Sequence, residues 1–125
     1  MADKAVLKLT QVHGVVKVRG TGSATIALAT DLKKSSETQS SPKANIRTLH
    51  WALSVGSTAT VTRNSVVLYY LSGTGKMEFM GWSDNEENGS DIVVDFSSGT
   101  GSVVLELAKI SGYGSQQHQN QGDLG

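Results

Sequence analysis

Cysteine is absent from the 125 residues, proline occurs once, and neither sign of charge predominates, with eleven basic side chains against eleven acidic ones. Without cysteine there is no disulfide, no thiolate zinc site and no thiol nucleophile, so stability has to come from packing. Balanced charge leaves no global field to draw in nucleic acid or anionic lipid. No apolar run approaches the ~20 residues that cross a bilayer, and the opening Met-Ala-Asp-Lys lacks the apolar stretch of a signal peptide. The expectation is a soluble protein made in the cytosol. A convincing helical period is missing too, as is any nucleophile elbow.

What the chain does have is a phrase written three times: Arg19-Gly-Thr-Gly, Ser72-Gly-Thr-Gly and Ser98-Gly-Thr-Gly, each opening an apolar alternating run. Glycine flanking a small hydroxyl residue suits reversal between antiparallel strands, so the phrases are expected to be hairpin turns. Their unequal spacing argues against a solenoid or propeller repeat. Period-two alternation marks strands over 5–12, 15–18, 23–29, 46–55, 57–62, 76–82, 92–96 and 103–110. Within 46–55, Leu49, Trp51, Leu53 and Val55 share the face assigned to the core. The run Val66-Val-Leu-Tyr-Tyr-Leu71 is apolar on both faces, which predicts a central strand or one covered on its second side. The sum is an all-β domain, an antiparallel β-sandwich or small jelly-roll-like barrel of about eight to nine short strands.

One β domain is expected over 1–111, interrupted by a polar loop at 30–45 that holds the single proline, and followed by a flexible polar tail at 112–125. Lys33, Lys34, Lys43 and Arg47 cluster around that loop, either as a contact for an acidic or phosphorylated surface or as plain solvation. Tyr69 and Tyr70 must point to opposite faces, so one of them is free for an interface, while Trp51 and Phe96 are assigned to the core. Tyr113 sits in the tail.

Chemistry is thinly represented. Asp84, Glu86, Asn88, Gly89 and Asp95 approximate the spacing of a calcium loop. The last ligand is aspartate, however, Asp91 stands where such loops keep an apolar residue, and the flanks are strands; an acidic hairpin turn is the alternative. Ser72-Gly-Thr-Gly-Lys76 lacks the spacing, the trailing hydroxyl and the helix of a phosphate-binding loop. His13, His50 and His118 have no sequence partners. No catalytic residue and no cofactor is assigned.

In the turn phrase at Arg19 and Ser98, the Ser/Thr/Ala/Val/Gly-rich strands, the missing cysteine and the polar tail, the chain resembles small virion structural proteins of tailed bacteriophages, in style those of phages infecting cyanobacteria. The resemblance implies a non-enzymatic β-sandwich seated on a capsid, as a decoration or cement protein, often as a multimer, with loops and terminal arms spread over its neighbours. Phage capsid or other virion proteins would be its partners, to the exclusion of nucleic acid and membrane, and the virion its location. A tail, neck or baseplate component and a carbohydrate-binding module are the alternatives. A small hydrolase built around His50 is a third possibility.

Overall fold

The computed structural model describes residues 2–33, 38–79 and 83–114, with backbone alone at 38–40 and 113–114. Among them run seven strands and one helical turn: β1 (Asp3–Leu9), β2 (His13–Ile26), α1 (Leu28–Asp31), β3 (Thr38–Leu53), β4 (Thr58–Arg63), β5 (Val66–Ser72), β6 (Thr74–Glu78) and β7 (Ile92–Gly114). All the pairings are antiparallel. The all-β antiparallel class expected from the alternation is therefore the one observed.

β7 organises the sheet. Its second half, from Gly101 onward, lies between β3 and the first half of β2, with β6 beyond β3 and β1 beyond β2. Its first half, from Ile92 to Ser98, lies between β4 and the second half of β2, with β5 beyond β4. The result is a long wing, β1-β2-β7-β3-β6, and a short wing, β2-β7-β4-β5, that share two bent strands. Inward rows from both wings meet in one core that includes Val16, Val18, Leu49, Leu105 and Leu107 from the long wing and Ile26, Val61, Ile92, Val94 and Phe96 from the short one. Each such side chain contributes about 1.5–3 kcal/mol by leaving water. Leu28 and Leu32, on and just after α1, join the core, and Lys109 is drawn inward where its Nζ donates to the Thr10 carbonyl at 2.9 Å.

None of the Gly-Thr-Gly phrases is a hairpin. Two lie inside β2 and β7, and the third joins β5 to β6, which belong to different wings. They meet on one line across the sheet: Gly20 and Leu53 both lie opposite Gly101, and the Leu53 amide donates to the Gly73 carbonyl at 2.8 Å. Along that line the register breaks, so that Thr21 stands against Ser97 to Thr100. Sandwiches make such corners with bulges and bends, and bends ask for backbone conformations that glycine adopts freely. Thr100 fastens the corner, its Oγ1 donating to Gly20 O at 2.9 Å and its amide to Ser57 Oγ at 3.0 Å. A glycine signal reads alike for a reversal and for a corner, because both need positive φ. The tally of seven strands among the described residues is accordingly below the eight to nine that the alternation suggested, and three of the strands are long.

Other expectations are also revised. The 30–45 stretch is not a loop throughout: after α1 it enters β3 at Thr38, where Thr38 and Gln39 pair with Gly114 and Tyr113. The domain boundary moves from 111 to at least 114 for the same reason. Ladder hydrogen bonds, which depend on the backbone and not on apolar side chains, sustain these polar ends. Val55 does not continue the inward row, since β3 stops at Leu53 and Val55 stands fully exposed in the following turn. Phe96 is in the core as expected, whereas Trp51 is half-buried, lying over Gly75 with its Nε1 donating to Ser72 O at 3.0 Å. Val66 to Leu71 is no central strand, because β5 pairs with β4 alone among the described residues.

Gly99 tests the corner. Its φ is +84°, and a methyl group there would overlap the Ser57 side chain. Gly99→Ala is expected to cost about 2–3 kcal/mol in denaturant unfolding. Gly89→Ala, at a glycine with open space around it, should stay within about 0.5 kcal/mol of the parent.

Candidate functional site

The outward faces of the two wings have opposite character. The long wing carries Lys17 and Arg19 on β2, Glu106 on β7, His50 on β3, and Lys76 and Glu78 on β6. Lys76 and Glu78 pair at 2.6 Å, and the lysine holds the Glu78 carboxyl below its usual range. Outward residues of the short wing are Ser23 and Thr25 of β2, Val93, Asp95 and Ser97 of β7, Thr58, Thr60 and Thr62 of β4, and Val67, Tyr70 and Ser72 of β5. Asp95 is the one charge among them. Tyr70 stands 80% exposed and lines a cleft of about 410 Å³ together with Thr58, Thr60 and Ser97. Small hydroxyl and β-branched residues thus surround one exposed tyrosine, and Asp95 is the single charge to be desolvated on contact.

Beneath that face lies a buried cation. Alternation through Ala59 and Val61 carries Arg63 to the inner side of β4, where it is wholly buried. Its Nη1 donates to Ala44 O at 2.7 Å, its Nη2 to Asn88 O at 3.0 Å and Ser90 O at 2.7 Å, and its Nε to Ser90 O at 3.0 Å. One guanidinium thus ties β4 to β3 and to the segment that precedes β7. The rigid fork of donors suits several carbonyls at once, which lysine cannot match.

That segment is the acidic stretch whose spacing approximated a calcium loop. Here Asp84 accepts the Tyr69 hydroxyl on one oxygen and the Glu86 amide, at 2.8 Å, on the other. Backbone bonds couple Asp84 to Ile46 in both directions, and Asn88 donates to Asn45 Oδ1 at 3.0 Å. Asp95 is elsewhere, in the ladder between Thr60 and Ser23. Among the described residues no three His, Asp or Glu side chains gather as a metal centre requires. The short polar residues are spent on turn geometry and on anchoring to β3; the stretch is not the acidic hairpin turn offered as the alternative, since β6 before it and β7 after it do not pair with each other among the described residues.

The basic group around 30–45 disperses. Lys43 is exposed on β3 opposite Ser111, while the Arg47 side chain crosses β7 to donate from Nη1 to His13 Nε2 at 2.7 Å. Accepting that bond requires a neutral imidazole with its proton on Nδ1. Lys33 is half-buried just beyond α1, and Lys34 lies outside the described residues. The tyrosine pair divides as expected: Tyr69 turns inward against Phe79, and Tyr70 outward. Tyr113 is described by its backbone only, opposite Gln39. His50 faces outward opposite Lys76 and Val104, with no described hydroxyl or carboxylate bonded to it. Arg63 escaped the sequence reading, although continuing the Ala59, Val61 row by two residues would have found it.

No protein-family model matches the chain, and no curated protein matches it. Among solved structures, a cupin superfamily protein from Desulfitobacterium hafniense DCB-2 is similar over 89% of this chain and 79% of its own, at 6% identity and a TM-score of 0.41. That degree of likeness says nothing of activity.

Two substitutions test the buried network. Arg63→Ala leaves three carbonyls without their donor and is expected to cost about 3 kcal/mol or more in chemical denaturation. Tyr69→Phe should cost about 1.5–3 kcal/mol at neutral pH, the range for hydrogen bonds to charged groups. Burial, then the bond and charge of Asp84, hold the Tyr69 hydroxyl protonated above the ordinary tyrosine range. Above about pH 10 the unfolded chain therefore loses this proton first, so stability falls as pH rises. The gap between parent and Tyr69→Phe should narrow above about pH 10 in a pH series of unfolding curves.

Proposed function

We propose that this protein is a non-enzymatic structural module that seats on a pre-formed protein shell through the outward face of its short wing. The reading follows the resemblance of its sequence to phage virion proteins: a decoration or cement protein on the capsid of a tailed bacteriophage, made in the host cytoplasm and retained in the virion. The observation that carries it is the contrast between faces, one interspersed with charge and the other bearing Asp95 alone and the exposed Tyr70. Desolvating charges is costly, whereas hydroxyl, valine and tyrosine surface is easily covered and tyrosine is a favoured interface anchor. Protein, not nucleic acid or lipid, is the partner such a surface suits.

A single such contact is modest. Repetition over a lattice of identical sites raises retention by avidity without any new interaction. A tail, neck or baseplate shell would present the same kind of lattice, and the copy number per particle distinguishes it from the capsid.

Mass spectrometry of purified particles should find the chain at a copy number commensurate with capsid subunits. Purified protein added to particles lacking it should bind, and Tyr70→Ala should weaken binding about tenfold or more. Lys17→Ala and Lys76→Ala, on the opposite face, should leave it unchanged. Absence from particles, together with glycan binding that depends on Tyr70, would transfer the same face to a carbohydrate-binding role.

A further inference from the structure

Among the described residues β1, β6 and β5 are outermost strands, while the second half of β2, the other border of the short wing, has its Thr25 carbonyl taken by Lys4 Nζ at 2.7 Å; these edges are not alike. β1 carries Asp3, Lys4 and Lys8 and is broken by a register shift at Leu7; β6 is five residues long and holds the Lys76–Glu78 ion pair. Charge, shortness and bulges are the devices that keep an edge from pairing with another chain. β5 is as short as β1 and has a bulge at Leu68, but it uses no charge: from Val66 to Ser72 it reads Val-Val-Leu-Tyr-Tyr-Leu-Ser, with no proline or glycine either. Among the described residues β4 is its sole partner, and Val66, Val67 and Tyr70 remain 40, 38 and 80% exposed. A strand of that composition, left open, is an invitation to pairing.

We propose that β5 pairs with β5 of a second copy, antiparallel across a twofold axis between Leu68 and Tyr69. The register follows from the bulge. Thr62 lies opposite Val67 and Val61 opposite Tyr69, so Leu68 is an extra residue that places Val67 and Tyr70 on the same outward face. Setting Val67 against Tyr70 of the other copy then keeps outward with outward, and Val66 against Leu71 keeps inward with inward. The outward pair is aromatic on β-branched, a favoured cross-strand combination, and the twofold makes it twice. Nor is there repulsion to overcome, since the neighbouring outward residues Thr58, Thr60 and Thr62 are uncharged as well. A partner strand of different sequence would find no charge on β5 to select it, whereas a second β5 finds itself in register on both faces.

The dimer is a property of the chain alone and goes beyond the shell-binding reading, so it is tested without particles. Sedimentation of the purified full chain at micromolar concentration should show a dimer. Val67→Lys/Tyr70→Lys sets like charges directly opposite one another and should raise the dissociation constant about a hundredfold, with an unchanged circular dichroism spectrum. Because the chain has no native cysteine, an oxidised equimolar mixture of Val67→Cys and Tyr70→Cys should give the mixed covalent dimer in preference to either like pair. A parent chain that sediments as a monomer at 100-fold higher concentration, a dimer indifferent to the double lysine substitution, or crosslinking through like positions would each overturn the proposal. A parent chain that dimerises but does not bind particles lacking it would instead count against the shell reading alone.

Discussion

The chain must pass between two wings without interrupting their hydrogen bonding, and it does so along a single line of glycines. Gly20, Gly101 and Gly73 meet there around Leu53, and at Gly99 there is no room for a side chain beside Ser57. Were the strands to run straight through this line, the inward rows would spread over an open sheet with one face wet. Bending there brings Ile92, Val94 and Phe96 over the same core as Val103, Leu105 and Leu107 of the same strand. The packing that stabilises the molecule is thus a consequence of where the backbone can turn.

Away from the corner, Arg63 performs a comparable task with a side chain. A buried guanidinium is tolerated because its donors are met by carbonyls of β3 and of the chain entering β7. The carbonyls of Asn88 and Ser90 belong to a segment with little apolar content of its own. Fixing it to the body of the sheet starts β7 in register with β4, and so sets the outward residues of the short wing side by side. Tyr69, reaching from β5 to Asp84, secures the same segment from the other side.

Division of labour between surfaces follows from this arrangement. Charge is concentrated on the outward face of the long wing and on the edges β1 and β6, where it favours solvation and discourages strand addition. The short wing and β5 are left free of that protection, apart from Asp95. A surface that is easily covered and an edge that is easily extended lie on the same two strands, β4 and β5, so a dimer through the edge would present two such faces as one continuous sheet.

Strand alternation made most of this legible beforehand. The inward rows of β4 and β7, the antiparallel all-β class, the split of Tyr69 from Tyr70 and the inward place of Phe96 all follow from a period of two. So does Arg63, whose position is implied by Ala59 and Val61. Tertiary structure alone decided that the Gly-Thr-Gly phrases are corners, because positive φ is needed equally at a reversal and at a bend. It also decided that β5 is an edge, since an apolar strand looks the same whether neighbours or nothing lie beside it. The anchoring of the acidic stretch to β3 was hidden for a similar reason: spacing along a chain does not say which way carboxylates and carbonyls turn until the strands on either side are in place.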